Sequence, residues 1–137
     1  MFADTRAFCS FAVDDLEKAL AFYGETLGLK TDVLDVENGL MSLDLAGGAA
    51  VLVFVKADVA PADFTILNFT VEDVDETVDQ LVARGVSFER YDGFNQDEKG
   101  ITRGPGPQLA WFKDPAGNIV ALVANGAMSV VDAGEAQ

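Results

Sequence analysis

The sequence predicts an α+β fold of two βαβββ modules. Three observations carry that prediction. Residues 11–30 and 69–88 read as copies of one another; each copy passes from alternating apolar residues into three- and four-residue apolar spacing; and after each helix the period falls back toward two.

The copies are FAVDDLEKALAFYGETLGLK and FTVEDVDETVDQLVARGVSF. Placing Val13 over Val71 aligns Asp15 with Asp73, Leu16 with Val74, Ala19 with Thr77 and Leu20 with Val78. After one residue of slippage Gly28-Leu29 falls on Gly85-Val86, giving a repeat of about 57 residues.

In the first copy a short strand ending at Val13 leads to a helix capped by Asp14 or Asp15, with Leu16, Ala19, Leu20, Tyr23 and Leu27 along one side and Gly28 at its C-terminal stop. Strands follow near Lys30–Leu34, Leu40–Leu45 and Val51–Val55, with residues 46–49 as a hairpin turn. The second copy gives a helix from about Asp73 to Arg84, stopped at Gly85, then strands at Ser87–Arg90, Leu109–Phe112 and Ile119–Val123, with residues 114–118 as the last turn. Residues 91–107 carry four glycines and two prolines and read as a binding loop or a flexible connection. The expected organisation is one domain, residues 1–137, built of modules at about 5–57 and 63–124, with a tail over 125–137 that is a frayed end or a short helix on a partner.

The chain has 137 residues, enough for one core-forming domain but not for a second catalytic one. Its 9 basic and 23 acidic residues give a net charge of −14, which argues against nucleic acid and anionic lipid as partners and favours cationic small molecules. The lone Cys9 cannot form an intrachain disulfide. No basic start with a long apolar stretch marks a signal peptide, and no apolar run approaches the ~18 residues of a membrane span, so a cytoplasmic protein is expected.

There is no histidine. This removes Ser-His-Asp triads, Cys-His pairs, imidazole bases and imidazole metal ligands. Carboxylate, Lys, Tyr or Cys chemistry remains, and Tyr23, Tyr91, Asp44 and Glu72 are the groups that burial would make capable of proton transfer.

FAVDDLEKALAFYGETLGLK resembles the opening of the vicinal oxygen chelate superfamily, which includes glyoxalases, bleomycin-resistance proteins and extradiol dioxygenases, and WFKDPAGNIVALV resembles its closing hairpin. The resemblance runs from about Phe8 to Val123. It implies a curved eight-stranded mixed sheet with helices on the convex side, a pocket on the concave face and a homodimer. In metal-dependent relatives four inward His, Gln or Glu side chains hold a divalent ion. Carried over motif by motif, those positions fall on Phe8, Val53 (give or take one, with Leu52 and Phe54 beside it), Ile66 and Ala121, all hydrocarbon. The expectation is a member without the metal ligands and without a cofactor, since a divalent cation needs O, N or S donors.

Strand alternation from Phe8 places Ser10 and Ala12 toward the pocket and Cys9, Phe11 and Val13 toward the helix, leaving Cys9 an inert buried thiol. It likewise places Ile66, Asn68 and Thr70, then Val51, Val53 and Val55, then Ile119, Ala121 and Val123, in the pocket wall. Trp111, Phe94 and Tyr91 are candidates for stacking on a planar ligand, and Arg103 either clamps an anionic group or makes ordinary salt bridges. The expected ligand-binding set is therefore Phe8, Ser10, Val53, Ile66, Asn68, Thr70, Phe94, Arg103, Trp111 and Ala121, with no catalytic residue. The expected function is sequestration of a small hydrophobic or cationic aromatic compound, as in antibiotic-resistance proteins. The competing expectation is a lyase or dioxygenase whose metal uses displaced ligands such as Asp44, Glu72 or Glu89.

Overall fold

The computed structural model describes residues 1–126, so most of the expected tail lies outside the described residues. The chain divides into two compact units, Met1–Pro61 and a second that begins at Ala62.

The first unit contains β1 (Cys9–Val13), α1 (Leu16–Ala19) continued by a π-helix (Leu20–Thr26), β2 (Lys30–Asp35), β3 (Leu40–Asp44), a short 3-10 turn (Ala46–Gly48) and β4 (Ala50–Val55). Asp15 starts the helix, its carboxylate accepting the Lys18 N–H at 3.0 Å, which satisfies a first-turn donor that has no partner within the helix. The turn then widens: the Leu27 N–H donates to the Phe22 carbonyl five residues back. The sheet order is β1-β4-β3-β2, with β1 parallel to β4 across the helical crossover and the other pairs antiparallel.

Register puts Phe11 beside Val53 and Val53 beside Met41, with Val51 beside Leu43. On this face Val13, Met41, Leu43 and Val53 are buried, and the buried Tyr23 ring lies 5.6 Å from that of Phe11, so this is the face the helix covers. Each such aliphatic side chain contributes about 1.5–3 kcal/mol by leaving water. Two expectations change here. Val53 lies on the helix face, and its neighbours Leu52 and Phe54 share the opposite face with Ser10 and Ala12. Cys9 is exposed rather than buried, because β1 is an edge strand and Cys9 stands at its very start.

Gly39 closes the β2–β3 turn with φ +67°, and its carbonyl accepts the Val55 N–H at 2.8 Å. A Cβ there would stand 2.6 Å from the Val55 Cβ. Gly39→Ala should therefore destabilise the protein by about 1–3 kcal/mol, through both backbone strain and overlap, as read by chemical denaturation.

The second unit contains β5 (Thr65–Val71), α2 (Val74–Ala83), β6 (Leu109–Lys113) and β7 (Ile119–Ala124). Asp73 caps α2 as Asp15 caps α1, accepting the Glu76 N–H at 3.0 Å. The sheet order is β5-β7-β6, β5 parallel and β6 antiparallel to β7. The helix buries Val74, Val78 and Leu81 and packs on β6 and β7. Seven of the eight expected strands thus form, in two mixed sheets. The remaining segment, Ser87–Arg90, makes only the bridge Phe88↔Phe112, because the Glu89 carbonyl is taken by the side chain of Gln96 at 3.0 Å instead of by a neighbouring strand. Among the described residues no helix is long and apolar enough to cross a membrane.

Candidate functional site

In the second sheet, register sets Asn68, Ala121 and Trp111 in one row and Thr70, Val123 and Leu109 in the next. Side chains alternate along each strand, so these six share one face, and Phe69, Leu122 and Ala110 point the other way. Ala121 and Trp111 are buried, Thr70 is half-buried and Asn68 is exposed on the edge strand. Ile66 is the extra residue of a bulge, unpaired between Thr65↔Ile119 and Leu67↔Val120, so alternation counted through it fails.

Two aromatic rings from the segment after Arg90 pack on Trp111. Tyr91 stands edge-on at 5.4 Å between centroids and Phe94 at 4.9 Å. Both geometries put positive ring edge against negative ring face. Phe94 remains 52% exposed, an apolar ring offered to solvent beside the only tryptophan. Tyr91 packs against the cluster of Trp111, Ile119 and Ala121, where its hydroxyl oxygen is buried with no hydrogen-bond partner among the described residues. Burial, with the Glu89 carboxylate adding to it, pushes the Tyr91 phenol above its ordinary pKa despite the opposing charge of Lys113, so the group is neutral and able to donate.

Two side chains shape the segment carrying these rings. The Gln96 amide oxygen accepts the Tyr91 N–H at 2.8 Å, and its NH2 donates to the carbonyls of Glu89 and Gly100 at 3.0 and 2.7 Å. The Asp97 carboxylate accepts the N–H groups of Lys99 and Ile101 and the guanidinium of Arg103. Burial drives the Asp97 carboxyl upward, but the bonds from Ile101, Arg103 and Lys99 outweigh it and hold the group below the usual carboxylate range. Residues 91–107 are therefore a bonded substructure, neither an open lid nor a slack linker. Sequence reasoning singled out neither Gln96 nor Asp97; a polar pair inside a glycine-rich stretch was the available signal.

Arg103 does not project as an anion clamp. Its Nη2 lies 2.9 Å from Asp75 Oδ1 and 2.7 Å from Asp97 Oδ2, tying the segment to α2, and Lys99 reinforces this through Asp79 at 3.0 Å. A groove of about 400 Å³ lies between α2 and the following segment, floored by Val78, Val82, Val86 and Phe88, and none of the expected site residues lines it.

In the first unit Phe8 is 71% exposed ahead of β1, and Ser10 is exposed on the strand. The positions matched to metal ligands hold only hydrocarbon. Of the alternative donors, Asp44 faces Lys30 at 3.8 Å and Glu89 faces Lys113 at 3.2 Å. No three His, Cys, Asp or Glu side chains gather as a metal-holding group among the described residues.

Helix-backed mixed sheets in two βαβββ-type units define a paired-module α+β protein. The chain belongs to the Glyoxalase/Bleomycin resistance protein/Dioxygenase superfamily, whose family model matches residues 6–122. Among solved structures, a superfamily member from Sphaerobacter thermophilus DSM 20745 is similar at 26% identity and TM-score 0.65, covering 88% of this chain and 98% of that one. TnmS3, an antibiotic binding protein from Streptomyces sp. CB03234, is similar at 24% identity and TM-score 0.66, over 88% and 97%. A lactoylglutathione lyase from Agrobacterium tumefaciens is similar at 24% identity and TM-score 0.64, over 90% and 96%. At these identities the last two likenesses establish the fold alone. No curated protein sequence matches.

Proposed function

We propose that this chain is a metal-free small-molecule binding protein that takes up a hydrophobic or cationic aromatic compound on the sheet face bearing Trp111. The observation that carries the reading is the aromatic group of Tyr91, Phe94 and Trp111, with Phe94 half-exposed and Asn68 open on the same sheet. Rings supply stacking area, and Asn68 and Thr70 supply the few polar contacts that orient a ligand in an apolar site. The net charge of −14 favours a cationic group on the compound. The antibiotic-binding relative supports the same reading, and the two modules act in it as one domain, as a homodimer, in the reducing cytoplasm that suits an exposed free Cys9.

Thermal-shift screening against antibiotics and planar metabolites should give at least one specific stabiliser that also changes Trp111 fluorescence; a blank across a broad library would overturn the reading. The metal-dependent alternative makes an opposite forecast. Elemental analysis of the purified protein should find well under one equivalent of Ni, Zn, Mn or Fe, and a stoichiometric tightly held metal would favour the enzyme instead.

A further inference from the structure

We propose that the Tyr91 hydroxyl is the specificity-determining donor of this site, and that its ligand is a planar aromatic carrying a carbonyl or equivalent acceptor on its edge. The inference rests on the aromatic-binding reading above and names the chemistry that reading leaves open.

The main chain of Tyr91 is already fixed. Its N–H is held by Gln96 at 2.8 Å and its carbonyl accepts the Phe94 N–H at 3.4 Å. Its ring is fixed against Trp111. The hydroxyl oxygen alone is buried with no partner among the described residues, on a side chain that packs against the cluster of Trp111, Ile119 and Ala121. That cluster is apolar apart from the indole N–H, itself only a donor, and the Glu89 carboxylate, which acts on the phenol through its charge, makes no hydrogen bond with it. A buried hydroxyl without a partner is unfavourable, and an acceptor delivered by a ligand removes that penalty. A ligand lacking the acceptor leaves it in place, which turns one atom into a discriminator between otherwise equal rings.

Access comes from Phe94. It is the exposed member of the trio, and exposed side chains change rotamer in picoseconds to nanoseconds. Swinging that ring off Trp111 would free indole surface of aromatic width, on the same ring system against which Tyr91 packs. The ligand takes the place of the Phe94 ring on the indole and turns its acceptor toward the phenol.

The test uses 9-fluorenone and fluorene, flat tricyclic probes that differ only in one carbonyl. Each is titrated into the full-length protein and into Tyr91→Phe, with Trp111 as the reporter because it is the sole tryptophan. The wild type should bind fluorenone roughly three- to tenfold more tightly than fluorene, the range of one net hydrogen bond, and Tyr91→Phe should bind the two equally. Without ligand, Tyr91→Phe should melt at the same temperature as the wild type or higher, since no bond is lost. A persistent fluorenone preference in Tyr91→Phe, or a lower melting temperature for that variant, would overturn the assignment. Equal binding of both probes by the wild type sinks the Tyr91 role and spares the aromatic site. Failure of both probes to bind either form sinks the two together.

Discussion

Asp114→Ala should strongly destabilise the second unit, by roughly 2–5 kcal/mol in urea or guanidinium unfolding. Asp114 is 4% exposed, and it organises the turn between β6 and β7. One carboxylate oxygen accepts the N–H groups of Ala116 and Asn118 at 3.0 and 2.8 Å, and the other accepts the Asn118 side-chain amide at 3.0 Å. Asn118, 3% exposed, uses its own oxygen to accept the Ala62 N–H at 3.3 Å. Alanine leaves those donors inside the protein with nothing to bond, a larger penalty than the bonds were worth. Asp114→Asn should fall between, keeping an acceptor on one side while turning a donor toward N–H groups on the other.

Asp97→Asn should release the segment that carries Tyr91 and Phe94. An amide cannot accept from Lys99, Ile101 and Arg103 together, and its NH2 would face the guanidinium. A loss of about 1–3 kcal/mol is expected, together with a red shift of Trp111 emission as Tyr91 and Phe94 loosen from the indole. The same contact sets an acid limit. A carboxyl held below its ordinary pKa contributes stability that is complete above the unfolded value near 4 and fades as pH falls through the lower folded value. The wild type should therefore lose this contribution on acidification below about pH 4, and Asp97→Asn should lack that component of the pH dependence. An unchanged acid profile in the variant would show that Asp97 is not the group responsible.

What the sequence disclosed was local. Asp14 or Asp15 reads as the first cap because an N-cap contact spans three residues, and the structure uses Asp15, with Asp73 in the same place in the second copy; Gly28 and Gly85 read as stops, and both take positive φ, 74° and 92°. What it withheld depends on distant partners or on parity. The motif match locates Val53 only to within one residue, and in a strand one residue is the difference between the pocket face and the core face. Ile66 broke the count in its own strand by bulging. Arg103 reads equally as a clamp or as half of a salt bridge, because its partner Asp75 lies 28 residues away on a separate helix. Gln96 holds backbone groups up to seven residues away through side-chain bonds, and such bonds follow no period.

The π-helix at Leu20–Thr26 accounts for the one-residue slippage between the two copies. From its capping aspartate to its terminal glycine, the first copy is one residue longer than the second, Asp15 to Gly28 against Asp73 to Gly85. A regular helix given that residue would rotate everything beyond it by about 100° and carry Gly28 and β2 out of place. The wider turn takes up the additional residue inside the helix, so cap and stop keep their stations at either end. The first copy thus carries one residue more than the second between cap and stop, and the difference is taken up in the winding of one segment and not in the strands around it.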